Sequence, residues 1–239
     1  MARPGQTIPI SSIILAGGQS ARLGKDKAFL EVKGQFLIER IIDRLGQVSE
    51  EIIIVANEAD RYHQFEAIVV SDVYPGKGAL GGIFSGLNRA TSHHSLVVAC
   101  DMPFLNVSLL RYMQGLAVPY DVVIPRMGRL TEALHSIYSQ DCLPFIEKQL
   151  QAGDLRIVHF FPHVRVHYVE QEEIEIFDPE HLSFSNINSE ADLEKAREIW
   201  RREELASGTE ATRPEGASLR GGRRGSAGTN HELSGQRSH

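Results

Sequence analysis

Short unbroken apolar runs recur along this chain, and between them apolar residues fall three and four positions apart. Runs of this kind bounded by turn residues read as strands buried on both faces, and the wider spacing reads as helices with one wet side. The first run predicts a strand at 12–16. A glycine-rich stretch continues to about residue 28, and 29–32 predicts a short extended piece before a turn at Gly34. From Phe36 onward, Leu37, Ile38, Ile41, Ile42 and Leu45 share one face, with Glu39, Arg40, Asp43 and Arg44 on the other, which predicts a helix over 36–45. Three isoleucines and a valine predict a strand at 51–56. A short helix at 59–65 and a strand at 67–70 follow. Pro75, Gly76 and Gly78 mark a turn-rich loop over 73–82, leading into a helix at 81–89 whose small residues allow close packing on a sheet. Strands are predicted at 96–100, 121–125, 133–138 and 165–169, and helices at 107–116 and 142–151. An extended piece at 184–188 precedes a last helix from a Ser189 cap to about residue 202. Alternating strands and helices predict an α/β fold: a Rossmann-like three-layer sandwich, its sheet mostly parallel, with helices on both faces.

In such sheets ligands bind outside the carboxyl ends of the strands. Gly17, Asn57, Asp72 and Asp101 each stand at such an end, so these four places predict one site. At the first of them, Gly17 and Gly18 carry no Cβ and let backbone N–H groups approach an anion. Arg22 then offers a planar fork to phosphate oxygens, and Lys25 and Lys27 offer point charges. The spacing is neither G-x-x-x-x-G-K-[ST] nor G-x-G-x-x-G. Asp101 follows five apolar residues, 96–100, where a carboxylate could hold a hard cation such as Mg²⁺ alongside substrate phosphates.

Composition narrows the class. The chain has 239 residues, 42% of them hydrophobic, enough for one core, and its net charge of −6 argues against a general nucleic-acid binder. The two cysteines, Cys100 and Cys142, lie in apolar contexts and predict buried thiols in a reducing cytosol. No apolar run approaches the roughly 20 residues that span a bilayer, and residues 1–11 carry no apolar leader core. A cytoplasmic location is the expectation. Beyond about residue 202 the chain turns to Gly, Ser, Arg and Thr, which bury too little to offset ordering entropy. A domain at 1–202 and a disordered tail at 203–239 are therefore expected, with the Arg220–Gly225 arginine–glycine block read as part of a solvated tail.

Leu15-Ala16-Gly17-Gly18-x-Ser20-x-Arg22-x-Gly24-x-Asp26-Lys27 resembles the loop of the molybdenum cofactor guanylyltransferases. Cys100-Asp101-Met102-Pro103 and Asn186-Ile187-Asn188-Ser189, with Asp192-Leu193 after it, resemble later segments of that family. Ala79 and Ala133 stand where the family commonly has proline. The resemblance implies transfer of GMP from GTP to the molybdopterin cofactor with release of pyrophosphate. It implies that Arg22, Lys27 and Asp101 are catalytic, that Lys27, Asn57 and Asp72 hold the nucleotide, and that Leu15, Ala16, Gly17 and Gly18 offer backbone groups to it. Asp101 would bind Mg²⁺. Lys27 is preferred to Lys25 as the phosphate ligand because it fills the fixed Asp-Lys place. GTP and molybdopterin are the expected substrates, with molybdenum-insertion proteins and apo-molybdoenzymes as further partners, no nucleic acid or membrane, and a monomeric state. A cytidylyltransferase acting on molybdopterin or another phosphorylated small molecule is the alternative reading, and a non-catalytic nucleotide carrier is a second class.

Overall fold

The computed structural model describes residues 8–16, 27–32 and 34–210. Gly17, Gly18, Arg22, Lys25 and the tail beyond 210 lie outside the described residues. The chain divides into two units after Ile199; the sheet and the cavity below belong to the first. Ten strands occur among the described residues: β1 (Ile10–Leu15), the small hairpin β2 (Glu31–Val32) and β3 (Gln35–Phe36), β4 (Glu51–Val55), β5 (Ile68–Val70), β6 (His94–Ala99), β7 (Val122–Met127), β8 (Leu130–Thr131), β9 (His135–Ser139) and β10 (Val166–Glu170). The helices are α1 (Leu37–Leu45), α2 (Gly78–Arg89), α3 (Val107–Leu116), α4 (Leu143–Gln151), α5 (Gln171–Glu175) and α6 (Glu190–Glu210).

The main sheet has eight strands in the order β10-β7-β9-β6-β1-β4-β5, with β8 paired to β7. β1 runs parallel to both neighbours, Leu15 standing opposite Val55 on one side and Ala99 on the other. All six residues of β1 are buried, which a strand covered on both faces requires. Successive side chains of a strand point to opposite faces. Ile14 accordingly joins the core under α1 and α3, with Ile38, Ile41, Leu109 and Met113, and Ile13 joins the core under α2 and α4, with Ile83, Leu87, Ile146 and Leu150. The expected three layers follow from that alternation.

α2 lies close on β1 because two of its glycines face the sheet. A Cβ on Gly86 would stand 2.4 Å from Cγ2 of Ile13, and one on Gly82 3.1 Å from Cδ2 of Leu15. β9 departs from the parallel pattern: it is antiparallel to β6 and to β7. The cause is its connection. β7 turns at Gly128, whose φ of +59° suits a residue without Cβ, pairs back through β8, and reaches β9 with no crossover helix, so the chain returns in the opposite sense.

Several expectations change in detail. The short helix expected at 59–65 is a 3₁₀ turn, Ala59–Tyr62. Residues Ile157–His163 form a 3₁₀ stretch that the apolar pattern did not announce. The last helix runs to Glu210, past the expected end at Arg202. Cys142 is buried, and burial pushes its thiol up to about 12. Cys100, expected buried as well, is only half-buried, because it follows the end of β6 where the sheet opens into a cavity. No helix among the described residues is long and apolar enough to cross a membrane.

Candidate functional site

β1, β4, β5 and β6 run parallel and end on one edge of the sheet. At that edge lies a cavity of about 490 Å³, with Leu15, Asn57, Asp72 and Asp101 in its wall together with Lys27. That volume lies within the range of small-molecule sites. Three of the four expected places, Asn57, Asp72 and Asp101, thus meet in one cavity beside Leu15 of β1, and the fourth, Gly17, lies outside the described residues.

Lys27 opens a 3₁₀ turn, Lys27–Phe29. Its Nζ donates to Oδ2 of Asp101 at 2.7 Å and to Oδ1 of Asn188 at 2.5 Å. The Lys27 and Asp101 side chains are only 13% and 16% exposed, so salt screens their attraction less than it would a surface pair. The cavity therefore holds a well-shielded ammonium against a carboxylate and an amide oxygen. An incoming phosphate is a further acceptor for the same ammonium.

Asp72 serves its own loop. Its Oδ1 accepts from the Tyr74 N–H at 2.9 Å and lies 2.8 Å from the Ser85 hydroxyl, which itself accepts from the Val73 N–H at 2.8 Å. Those bonds fix the turn between β5 and α2. The small Gly81 beside it matters, since a Cβ there would stand 2.9 Å from the Tyr74 carbonyl and 3.2 Å from Oδ2 of Asp72. Asp72 is thus both a loop cap and part of the cavity wall. Asn57 is exposed at the rim.

The backbone at the end of β1 is already engaged. The Leu15 carbonyl accepts from Cys100, the Ala16 N–H donates to the Val55 carbonyl, and the Ala16 carbonyl accepts from the Tyr62 hydroxyl at 3.1 Å. What Leu15 adds to the cavity is an apolar side chain.

Among the cavity-lining residues to which sequence reasoning assigned no role are Glu132, Asn186 and Asn188. The two asparagines arrive on the segment after a 3₁₀ turn, Leu182–Phe184. The Ile187 N–H donates to the Asp101 carbonyl at 3.0 Å, and Ile187 is buried while both asparagines are exposed. Extended backbone alternates its side chains, so an apolar residue between two asparagines was the available signal. Glu132, between β8 and β9, is partly buried, and burial pushes its carboxyl above the usual range. Behind the site, His135 on β9 is fully buried, its ring edge-on to Phe184 with centroids 4.9 Å apart. Neither ring nitrogen has a hydrogen-bond partner among the described residues, and burial pushes the imidazole down to about 4.

No group of three or more His, Cys, Asp or Glu is gathered for a metal among the described residues. The strand-end carboxylate of Asp101 nevertheless fits a cation that arrives with substrate phosphates, because such ions use one or two carboxylates and take the remaining ligands from phosphate and water.

The family model described as the MobA-like NTP transferase domain matches residues 12–166. The chain is 37% identical over 195 residues to a molybdenum cofactor guanylyltransferase of Syntrophotalea carbinolica, covering 81% of this chain and 91% of that protein. It is 35% identical over 189 residues to the molybdenum cofactor guanylyltransferase of Desulfosudis oleivorans, covering 78% and 94%. The crystal structure of molybdopterin-guanine dinucleotide biosynthesis protein A from Archaeoglobus fulgidus superposes with a TM-score of 0.71 at 26% identity, covering 81% of this chain and all of that one. By sequence and by fold, the chain belongs to the MobA-like NTP transferase family and is a nucleotidyltransferase.

Proposed function

We propose that the chain transfers GMP from GTP to the molybdopterin cofactor, forming the guanine dinucleotide and releasing pyrophosphate. An oxygen of the acceptor's terminal phosphate attacks the α-phosphorus, the bond from that phosphorus to the bridging oxygen breaks, and pyrophosphate leaves with the electron pair. The acceptor phosphate is ionised at neutral pH, so positioning and charge neutralisation suffice and no general base is required. Lys27 and Arg22 hold the triphosphate. Asn57 and Asp72 hold the nucleoside from the ends of β4 and β5, and the Leu15–Gly18 stretch borders the base. Asp101 would be the protein ligand for Mg²⁺, and the bound ion would neutralise charge on the α-phosphate and the departing pyrophosphate.

The observation that supports this reading best is the Lys27–Asp101 pair, 2.7 Å apart in the wall of a strand-end cavity. Together they offer a cation for phosphate and a carboxylate for a metal at one point. The test is a screen of the four nucleoside triphosphates with molybdopterin cofactor and Mg²⁺, following pyrophosphate and the dinucleotide product. GTP-dependent product is the expected result. Turnover with CTP in preference to GTP would replace this reading by the cytidylyl one, and nucleotide binding without pyrophosphate release would make the protein a carrier.

A further inference from the structure

Three carboxylates line the cavity, and two of them are engaged within the chain: Asp101 by Lys27, and Asp72 by its own loop. The third, Glu132, has no hydrogen-bond or ion-pair partner for its carboxylate among the described residues. Its backbone is held at three points. The Glu132 N–H donates to the Pro125 carbonyl at 3.1 Å, and its own carbonyl accepts from the His135 N–H at 3.0 Å and from the Ser136 hydroxyl at 2.6 Å. The side chain therefore starts from a fixed point in the wall. Burial raises its carboxyl above the usual range, and no neighbouring positive charge opposes that rise.

A partly buried, unpaired carboxylate is costly to keep, and a ligand with suitably placed donors offsets the cost. The donor arrangement that suits two carboxylate oxygens best is a pair of parallel N–H groups. Both substrates of the proposed reaction carry one. Guanine presents a ring N–H beside an exocyclic amine, and so does a pterin. We propose that Glu132 reads this N–H/NH₂ edge and is a specificity-determining residue of the cavity. The inference rests on the guanylyl-transfer reading above.

The experiment uses the full-length chain and its Glu132→Gln variant, which keeps the size of the side chain but turns one acceptor into a donor. Titration calorimetry gives the affinities for GTP and for ITP, which lacks the exocyclic amine. Steady-state kinetics give KM for molybdopterin. If the edge is that of guanine, the wild-type protein prefers GTP to ITP by about 5- to 150-fold, the range of a bidentate base contact, and the variant brings the ratio close to one. If the edge is that of the pterin, the GTP/ITP ratio is unchanged and KM for molybdopterin rises by a factor in the same range. Either result supports the assignment and identifies the source. A ratio and a KM both within about twofold of wild type, in a variant with an unchanged melting temperature, overturn it. Should Glu132→Gln fail to fold, Glu132→Asp withdraws the carboxylate by one methylene, and the same two readouts decide. The nucleotide screen separates the two levels of inference: wild-type GTP turnover with an unaffected variant rejects Glu132 alone, whereas absence of guanylyl transfer by the wild type rejects the reading itself.

Discussion

Adding one methyl group at Gly86 should destabilise the fold although the residue sits in mid-helix. Alanine is the better helix former, and in open surroundings the change from glycine would stabilise a helix by roughly 1 kcal/mol. At Gly86 the new Cβ would stand 2.4, 2.9 and 3.0 Å from Cγ2, Cδ1 and Cγ1 of Ile13, whereas carbon atoms pack best at about 3.5–4.0 Å. Ile13 has no room to yield. It is fully buried in β1, which is hydrogen-bonded on both sides, and its branched Cβ restricts rotation. Overpacking of this kind costs about 1–3 kcal/mol, and the shortest of these contacts places Gly86→Ala toward the upper end. After the helix gain is deducted, a net loss of about 2 kcal/mol remains, or about 4–8 °C in Tm for a domain of this size. Two other glycines calibrate the result. At Gly115 in α3 nothing lies within 4 Å, and at Gly82 the nearest atoms are the flexible end of Leu15. Gly115→Ala should be neutral or slightly stabilising, and Gly82→Ala should fall between the two. Urea denaturation of all three variants, with Ile13→Ala added to Gly86→Ala to remove the clashing carbons, gives the test. A Gly86→Ala protein as stable as Gly115→Ala would refute the argument that α2 is pressed onto β1 through that residue.

Asp101→Ala should lower kcat with GTP at least about a hundredfold while leaving the melting temperature within a few degrees; near-normal turnover in the folded variant excludes Asp101 as the metal ligand. Lys27→Ala should weaken GTP binding more than Lys25→Ala, and the Lys27 defect should persist at high salt, because a shielded ion contact is screened less than long-range attraction; equal defects that both vanish with salt reject Lys27 as the direct phosphate ligand. His135 is neutral in the fold and titrates near 4 there, against an ordinary value of 6.5 in the unfolded chain. Its contribution is complete above pH 6.5 and is lost as the pH falls toward 4, on the order of 3 kcal/mol over that window; stability curves against pH for wild type and His135→Phe should diverge there, and parallel curves would show that the imidazole is not the titrating group. Truncation after Glu210 should leave Tm and turnover unchanged, and a fall of more than a few degrees would mean that the removed residues pack.

The architecture was largely legible because its controlling feature is local. Unbroken apolar runs mark strands covered on both faces, and the polar or glycine residue that ends each run marks the edge where ligands bind. Ile13 and Ile14 adjoin in sequence and sit in different cores, which a short apolar run already implies for a strand. The antiparallel placement of β9 was not legible. Its residues are apolar enough for a buried strand, but strand direction depends on how the chain arrives, and the β7–β8 return that reverses it involves only two residues of β8. Periodicity likewise could not separate His135 from a solvent-facing histidine, since strand alternation gives the parity of a side chain and not what covers that face. Here Phe184, from a segment far along the chain, supplies the cover.

The same limit divides the site. Asp101 was readable from its place at a strand end, whereas Lys27 was separated from Lys25 only by the family resemblance, whose fixed Asp-Lys place it fills. The contact of Lys27 with Asn188 was not readable, because it joins positions 161 residues apart on a late segment that the backbone bond between Ile187 and Asp101 fastens to the strand end. That bond brings two distant stretches of the chain to one cavity. The strand ends supply Leu15, Asn57, Asp72 and Asp101 to the cavity wall, and the segment at 184–188 adds Asn186 and Asn188. Lys27 touches both, donating to Asp101 on the sheet and to Asn188 on the late segment. A phosphate that drew the ammonium away from either partner would loosen that side-chain bridge, while the Ile187–Asp101 backbone bond would still join the two stretches. The late segment is thus tied at the strand end twice over, by the Lys27 side chain and by the Ile187–Asp101 backbone bond, while its own apolar residues, Phe184 and Ile187, are buried.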